Sequence, residues 1–294
     1  MKVKQTASDR VLLGIIYVIM ILAALACLYP LWLVLISSFS EPEDIALGKV
    51  LLYPVNFTVE SYVKAFENDE LMVGYGNSLI YVVFGTLINM ALTIPAAYSL
   101  SHPKVKGKSV VMKLLVFTMY FSGGLIPMFM LQKSLGTLNT IWSVLLTTGC
   151  STYNMIIARS FFMSGVPREL EEASEIDGCS PLQTFVQIVL PLSKAMLSVI
   201  LLYYAVARWN DYTSSLYYQP SASHLHGLQM VMRGFINRVE LMAHVSPEAA
   251  EYWENLLAQL KYSTIVIASL PLLIIYPFIQ KYFEKGVMLG SVKG

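Results

Sequence analysis

The chain has 294 residues, of which 56% are hydrophobic and 13% charged, with a formal net charge of +1 and a mean hydropathy of +0.59. Soluble domains carry roughly 25% charged residues, so this composition excludes a free water-soluble domain, and the near-zero charge suggests no nucleic-acid partner. The apolar residues gather into stretches about twenty long, the length that crosses a bilayer, which predicts an all-α, multi-pass membrane protein.

The N-terminal MKVKQTASDR is basic and leads into an apolar run too long for a signal-peptide core, so it reads as a retained first helix. Six spans are predicted, at about 11–37, 73–100, 110–132, 138–162, 190–212 and 261–283, in a single transmembrane domain covering 1–294. Prolines within them (Pro30, Pro95, Pro127, Pro271, Pro277) are tolerable because neighbouring helices can satisfy the freed backbone groups. Cys27, Cys150 and Cys179 lie far apart, without metal or redox spacing, and read as packing residues.

Basic residues set the sidedness. Lys2, Lys4 and Arg10 precede span one, Lys104, Lys106 and Lys108 follow span two, and Lys281, Lys285 and Lys293 end the chain. The 38–72 connection is instead acidic, with Lys49 and Lys64 against Glu41, Glu43, Asp44, Glu60, Glu67, Asp69 and Glu70. Both termini in the cytoplasm satisfy all of these placements together. Residues 38–72 and 213–260 then lie outside. The second segment contains SPEAAEYWENLLAQL, where Ser246 can cap, Pro247 suits the first turn, and Trp253, Leu256, Leu257 and Leu260 form one apolar stripe. That helix either covers the outer mouth or docks an external partner.

The cytoplasmic segment 163–189 is acidic: within 167–178, Arg168 stands against Glu169, Glu171, Glu172, Glu175 and Asp177. Anionic headgroups at this face favour basic segments, so the helix reads as facing water or a protein. Pro167 and Gly178 bound it, and Ser180-Pro181 with Gln183 makes a capping box for a second helix. The two short helices predict a compact knob tethered to two spans.

This segment resembles the EAA loop of ATP-binding cassette importer permeases, E-A-A, three residues, G, nine residues, I-x-L-P. Here Glu172-Ala173-Ser174, Gly178 and Ile188-Val189-Leu190-Pro191 stand at that spacing, with Ser174 in place of the second alanine. YGNSL and AAYSLS at the two ends of span two, with QKYFEKGVMLGSVKG at the C-terminus, resemble the carbohydrate-uptake, maltose-type branch. The longer segment before span six resembles relatives that import complex oligosaccharides. The resemblance implies a permease that shares its pore with a second, homologous permease, receives sugar from an external binding protein, and is driven by two cytoplasmic ATPases that hold ATP and Mg. It also implies a location in a bacterial cytoplasmic membrane. Glu172, Ala173, Ser174, Asp177, Gly178, Ile188, Leu190 and Pro191 would carry the ATPase contact. Lys285, Gly286, Gly290 and Lys293 would lie in a tail along it, and Gly234, Phe235, Ile236 and Asn237 match a loop that reaches the binding protein.

The chain itself reads as having no cofactor, metal or catalytic residue. GKS at 107–109 lacks the earlier glycine of a phosphate-binding loop, since position 102 is His102, so ATP hydrolysis belongs to a partner. His224, His226 and His244 in a polar segment read as surface residues rather than ligands. Asn77, Asn89, Asn154 and Tyr120 are candidates for sugar contact or for interhelical bonding. Arg208, Trp209, Asn210 and Asp211 end span five, either as an interfacial anchor with an Arg–Asp pair or as a gate. A secondary transporter is disfavoured because the spans hold no buried acidic residues, as a proton-coupled device would need. A membrane enzyme is disfavoured because no catalytic pairing is present. A permease for amino acids or metals fits the EAA pattern, but the C-terminal KGVMLGSVKG tilts the reading toward sugars.

Overall fold

The computed structural model describes residues 7–243, 260–275 and 277, and all regular structure among them is helical. Two compact units partition the chain, Met1–Asn68 with Phe235–Ser269, and Asp69–Gly234 with Leu270–Gly294.

The first unit opens with α1 (Ala7–Ser37), apolar all round and carrying Pro30 within it. The chain then folds back, because Ser40 Oγ donates to the Ile36 carbonyl at 2.8 Å and accepts the Val55 N–H at 3.1 Å. In this turn lies α2 (Pro42–Ala46), whose buried Asp44 accepts from Lys49 at 2.7 Å and Asn56 at 2.6 Å. Phe39 stacks on Phe57 at 5.5 Å ahead of α3 (Glu60–Glu67).

The second unit is organised around α4 (Asp69–Ser101), a continuous helix of 33 residues. Lipid tails are as apolar as leucine, so close packing and internal hydrogen bonds, rather than exclusion of water, hold such helices together. Fully buried Ala97 and Ala158 bring α4 against α8 (Thr152–Ser164). A larger side chain at either alanine would overpack the contact at about 1–3 kcal/mol. Ile94, Met155, Phe162, Val189, Met196 and Ile200 complete this core. Tyr98 closes the end of this core nearest α9, stacked on Phe185 at 4.8 Å and edge-on to Phe162 at 5.6 Å.

Three of the spans expected as single helices are broken. The 110–132 stretch is α5 (Lys108–Tyr120) and α6 (Leu125–Ser134), bent by 114°. Its turn contains Ser122-Gly123-Gly124, with Gly124 at φ +90°. The 138–162 stretch is α7 (Ile141–Thr147) and α8, bent by 48°, with Ser151 capping the second piece through Asn154 N–H at 3.4 Å. The start of span five, expected near residue 190, instead continues the helix that begins at Pro181 through Leu192, followed by an 84° bend at Ser193. Pro191 has no N–H and its ring crowds the carbonyl four residues back, and the five residues before Leu190 widen into a π turn, Phe185–Val189. Counting each bent pair as one crossing, the described residues hold five apolar segments long enough to span, and α15 (Leu260–Ile275) is shorter as described.

Candidate functional site

The acidic knob consists of α9 (Arg168–Ile176), α10 (Pro181–Thr184), the π turn and the short α11 (Leu190–Leu192). α9 ends in a Schellman motif: Cys179 N–H bonds the Ser174 carbonyl at 2.9 Å and Gly178 N–H the Glu175 carbonyl at 3.2 Å. This geometry puts Gly178 at φ +81°, where a side chain is strained. The capping box read from Ser180 and Gln183 is present, with bonds of 2.8 and 3.3 Å. Ser174 and Thr184 are both buried and share a hydrogen bond of 2.7 Å, joining the two helices, while Ser174 Oγ also reaches the Glu171 carbonyl at 2.7 Å.

The acids of α9 divide into two sets. Buried Glu171 accepts both oxygens' worth of contact from Arg168 at 3.1 and 2.9 Å and lies 3.3 Å from His102 Nε2. Glu175 pairs with Lys104 at 2.8 Å. That hydrogen bond and charge hold the Glu175 carboxyl below its ordinary range and push the Lys104 ammonium up. The carbonyls at and just past the end of α4 are covered by three bases: Leu100 accepts from Arg159 at 3.0 Å, Ser101 from Arg168 at 3.1 Å and His102 from Lys108 at 3.0 Å. Glu172, Ala173, Asp177 and Gly178 remain exposed, beside Ile176 at 86% and Leu182 at 71% exposure. An acidic rim around two bare apolar side chains suits a protein partner better than anionic lipid headgroups or water alone. Ile188 and Leu190 are half-buried and Pro191 is exposed.

The second feature is a cavity of about 1220 Å³ between α12 (Lys194–Trp209), α13 (Thr213–Tyr218) and the break between α7 and α8. Its lining includes Tyr153, Asn154, Tyr203, Asn210, Asp211 and Tyr217. Aromatic faces and amides suit sugar C–H patches and hydroxyls.

Of the residues read as substrate or gating candidates, Asn154, Asn210 and Asp211 line this cavity, whereas Asn77, Tyr120 and Trp209 do not. Asn77 donates to the His224 and His226 carbonyls at 2.8 and 3.0 Å, and Tyr120 is 86% exposed. Trp209 is buried edge-on to Tyr75. The local Arg208–Asp211 pair is replaced by other partners. Arg208 is buried and donates to Asn89 Oδ1 at 3.0 Å and to the Val144, Leu145 and Thr148 carbonyls at 2.6, 2.9 and 3.3 Å. Asp211 instead accepts from Thr213 Oγ1 at 2.9 Å and Ser214 N–H at 3.0 Å.

Gly234, Phe235, Ile236 and Asn237 sit inside α14 (Leu228–Ala243) rather than in an irregular loop. Gly234 alone costs a helix only about 1 kcal/mol, which the flanking residues absorb. The stretch before α14 is fastened to α4 by Tyr81, whose hydroxyl donates to the Leu225 carbonyl at 2.7 Å, and by Ser78, which accepts Leu228 N–H at 2.9 Å. The helix expected over 247–260, apart from Leu260, and the tail residues Lys285, Gly286, Gly290 and Lys293 lie outside the described residues, as does His244. Thr93 and Tyr204 escaped the reading of the sequence. Hydroxyls inside an apolar helix give no signal until their partners on other helices are known.

The fold and these two features define the membrane-spanning subunit of a multi-component transporter. The chain belongs to the family of binding-protein-dependent transport system inner membrane components, whose model matches residues 71–289. It is 38% identical, over 95% of its length and 97% of the relative's, to the polygalacturonan/rhamnogalacturonan transport system permease protein YtcP of Bacillus subtilis. It is 26% identical to the melibiose/raffinose/stachyose import permease protein MelC of the same organism, over the full length of both. The crystal structure of a bacterial ABC transporter that imports the acidic polysaccharide alginate has a chain 30% identical to it, with a TM-score of 0.85, covering 96% of this chain and all of that one. The protein is therefore an ABC permease subunit of the inner membrane. It works with a binding protein and with a partner ATPase that performs the hydrolysis.

Proposed function

We propose that this chain forms half of the translocation pore of an importer for polysaccharide-derived oligosaccharides, paired with a second homologous permease and two cytoplasmic ATPases that hold ATP and Mg. Its own role is mechanical and needs no bound cofactor. The knob carries this reading: exposed Glu172, Ala173, Ile176, Asp177 and Leu182 stand on two helices locked by the Schellman turn, the capping box and the Ser174–Thr184 bond. A stiff knob in an ATPase cleft transmits a rigid-body motion, whereas a loose one absorbs it.

In this reading the chain crosses the membrane six times, with both termini cytoplasmic, 213–260 outside, and Lys285, Gly286, Gly290 and Lys293 lying along the ATPase. Gly234 to Asn237 approach the binding protein through a helical face. The tyrosine- and amide-lined cavity is part of the sugar path. The cargo is inferred from relatives named for polygalacturonan, rhamnogalacturonan and alginate, which places uronate-containing oligosaccharides first.

The test is reconstitution of the purified complex in liposomes. ATPase activity is read with the binding protein loaded with oligogalacturonides, alginate oligomers, maltodextrins or raffinose. Stimulation by at least one acidic oligosaccharide is expected, and Gly178→Asp is expected to abolish it while the permease remains assembled in the membrane. Full stimulation in that variant, or no ATPase recovered with the permease, would overturn the reading.

A further inference from the structure

Across the break at Thr148–Ser151, two side chains one turn apart on α12 reach over to the broken span, and each is seconded by a residue one turn apart on α4. Arg208 spends four of its five N–H donors on Asn89 Oδ1 and on the Val144, Leu145 and Thr148 carbonyls at the end of α7. Asn89 Nδ2 also donates to the Thr148 carbonyl. Four residues earlier, the Tyr204 hydroxyl accepts Ser151 N–H at 3.0 Å, at the start of α8, and bonds the Thr93 hydroxyl at 2.6 Å. Asn89 and Thr93 are fully buried, and Tyr204 and Arg208 are each 4% exposed. We propose that Asn89–Arg208 and Thr93–Tyr204 are the two rungs of a clamp that fixes the broken span and sets the shape of the cavity wall.

The chemistry of the break calls for such a device. A helix interrupted within the membrane frees carbonyls at one end and N–H groups at the other, and lipid tails cannot satisfy them. Arg208 supplies donors to the first end and Tyr204 an acceptor to the second. Thr147, Thr148, Cys150 and Ser151 all line the cavity, so the clamped backbone is itself the wall. The cation is thereby solvated by carbonyl oxygens rather than paired with a carboxylate. With four donors committed to protein oxygens, Arg208 is not the group that would bind an anionic sugar. Gly85 provides a second, independent sign: a Cβ there would lie 2.7 Å from Arg208 Nε and 3.0 Å from its Cδ. A side chain at position 85 would collide with the Arg208 guanidinium in its present place.

Tyr204 and Arg208 are positioning residues. The inference about transport rests on the cavity being the sugar path, so the test has two arms. In the assembled complex in nanodiscs, hydrogen exchange over 147–152 is compared between the wild type and Tyr204→Phe, Arg208→Lys, Gly85→Ala and Thr93→Val. Exchange is expected to quicken about tenfold or more, as for loss of a buried hydrogen bond that holds a local segment closed. Thr93→Ser, which keeps the hydroxyl, should retain wild-type protection, and α9 should exchange unchanged throughout. If Arg208→Lys does not assemble, Tyr204→Phe and Thr93→Val carry the comparison. Unaltered exchange at the break, or an equal rise in α9, would refute the clamp. In the second arm, ATPase stimulation by binding protein loaded with oligogalacturonide should fall in Tyr204→Phe. Full stimulation with a loosened break would refute the positioning role. Absence of stimulation in the wild type would fault the choice of sugar alone, with the exchange arm still deciding the clamp.

Discussion

Ser174 stands where the EAA pattern has alanine, and the structure gives the exchange a physical reason. Its hydroxyl is buried against that of Thr184, so the small polar change comes with a partner across the knob. Ser174→Ala strands the Thr184 hydroxyl and should destabilise the knob by about 1–3 kcal/mol, whereas Ser174→Ala with Thr184→Val removes both polar groups and should recover most of that loss. Thermal unfolding of the solubilised permease through this double-mutant cycle reads the coupling. Additive losses would mean that the two hydroxyls do not act together. Gly178 and the Ser180–Gln183 box were legible beforehand because capping chemistry is local, its partners lying within five residues. The Ser174–Thr184 bond spans ten residues and two helices, so only the folded knob displays it.

The acidic helix α9 is held beside the end of α4 by two bases about seventy residues away in sequence: Glu171, already paired with Arg168 on its own helix, meets His102, and Glu175 meets Lys104. The Glu175 carboxyl is depressed, so its contribution is present above its ordinary value of 4.5 and is lost as pH falls through the lowered folded value. The Lys104 ammonium is raised, so its contribution is present below 10.5 and is lost as pH rises through the raised value. Between those limits the pair is insensitive to pH and sensitive to salt, because both side chains are exposed. Hydrogen-exchange protection over 168–178, corrected for the intrinsic pH dependence of amide exchange, should therefore stay level across neutral pH and fall modestly with added salt. In Lys104→Ala the salt response should disappear, and a salt response of wild-type size in that variant would assign the effect to other charges.

Across the molecule, sidedness is the property on which coupling depends, since the knob and the ATPase must share a compartment. Cys179 lies next to Gly178 and is half-exposed, which makes it a native reporter. With Cys27 and Cys150 replaced by alanine, a membrane-impermeant maleimide should label Cys179 only after the cells are permeabilised. Cysteine introduced at Ser221, in the segment assigned outside, should label in intact cells. Labelling of Cys179 from outside would reverse the topology.

Composition, hydrophobic run length and lysine placement were enough to reach an all-α membrane protein, because apolar length and charge asymmetry are properties of the chain in lipid and water, whatever it folds into. The EAA spacing reached an ATPase partner by resemblance to a family, while the rigidity of the knob was legible because it is specified by its own caps. The breaks in three apolar stretches, the fate of Arg208 and the pairing of Glu171 and Glu175 with bases near the end of α4 were not available from the chain alone. Each depends on which groups from distant helices arrive to satisfy a freed carbonyl, a buried cation or a carboxylate, and those arrivals are decided by packing.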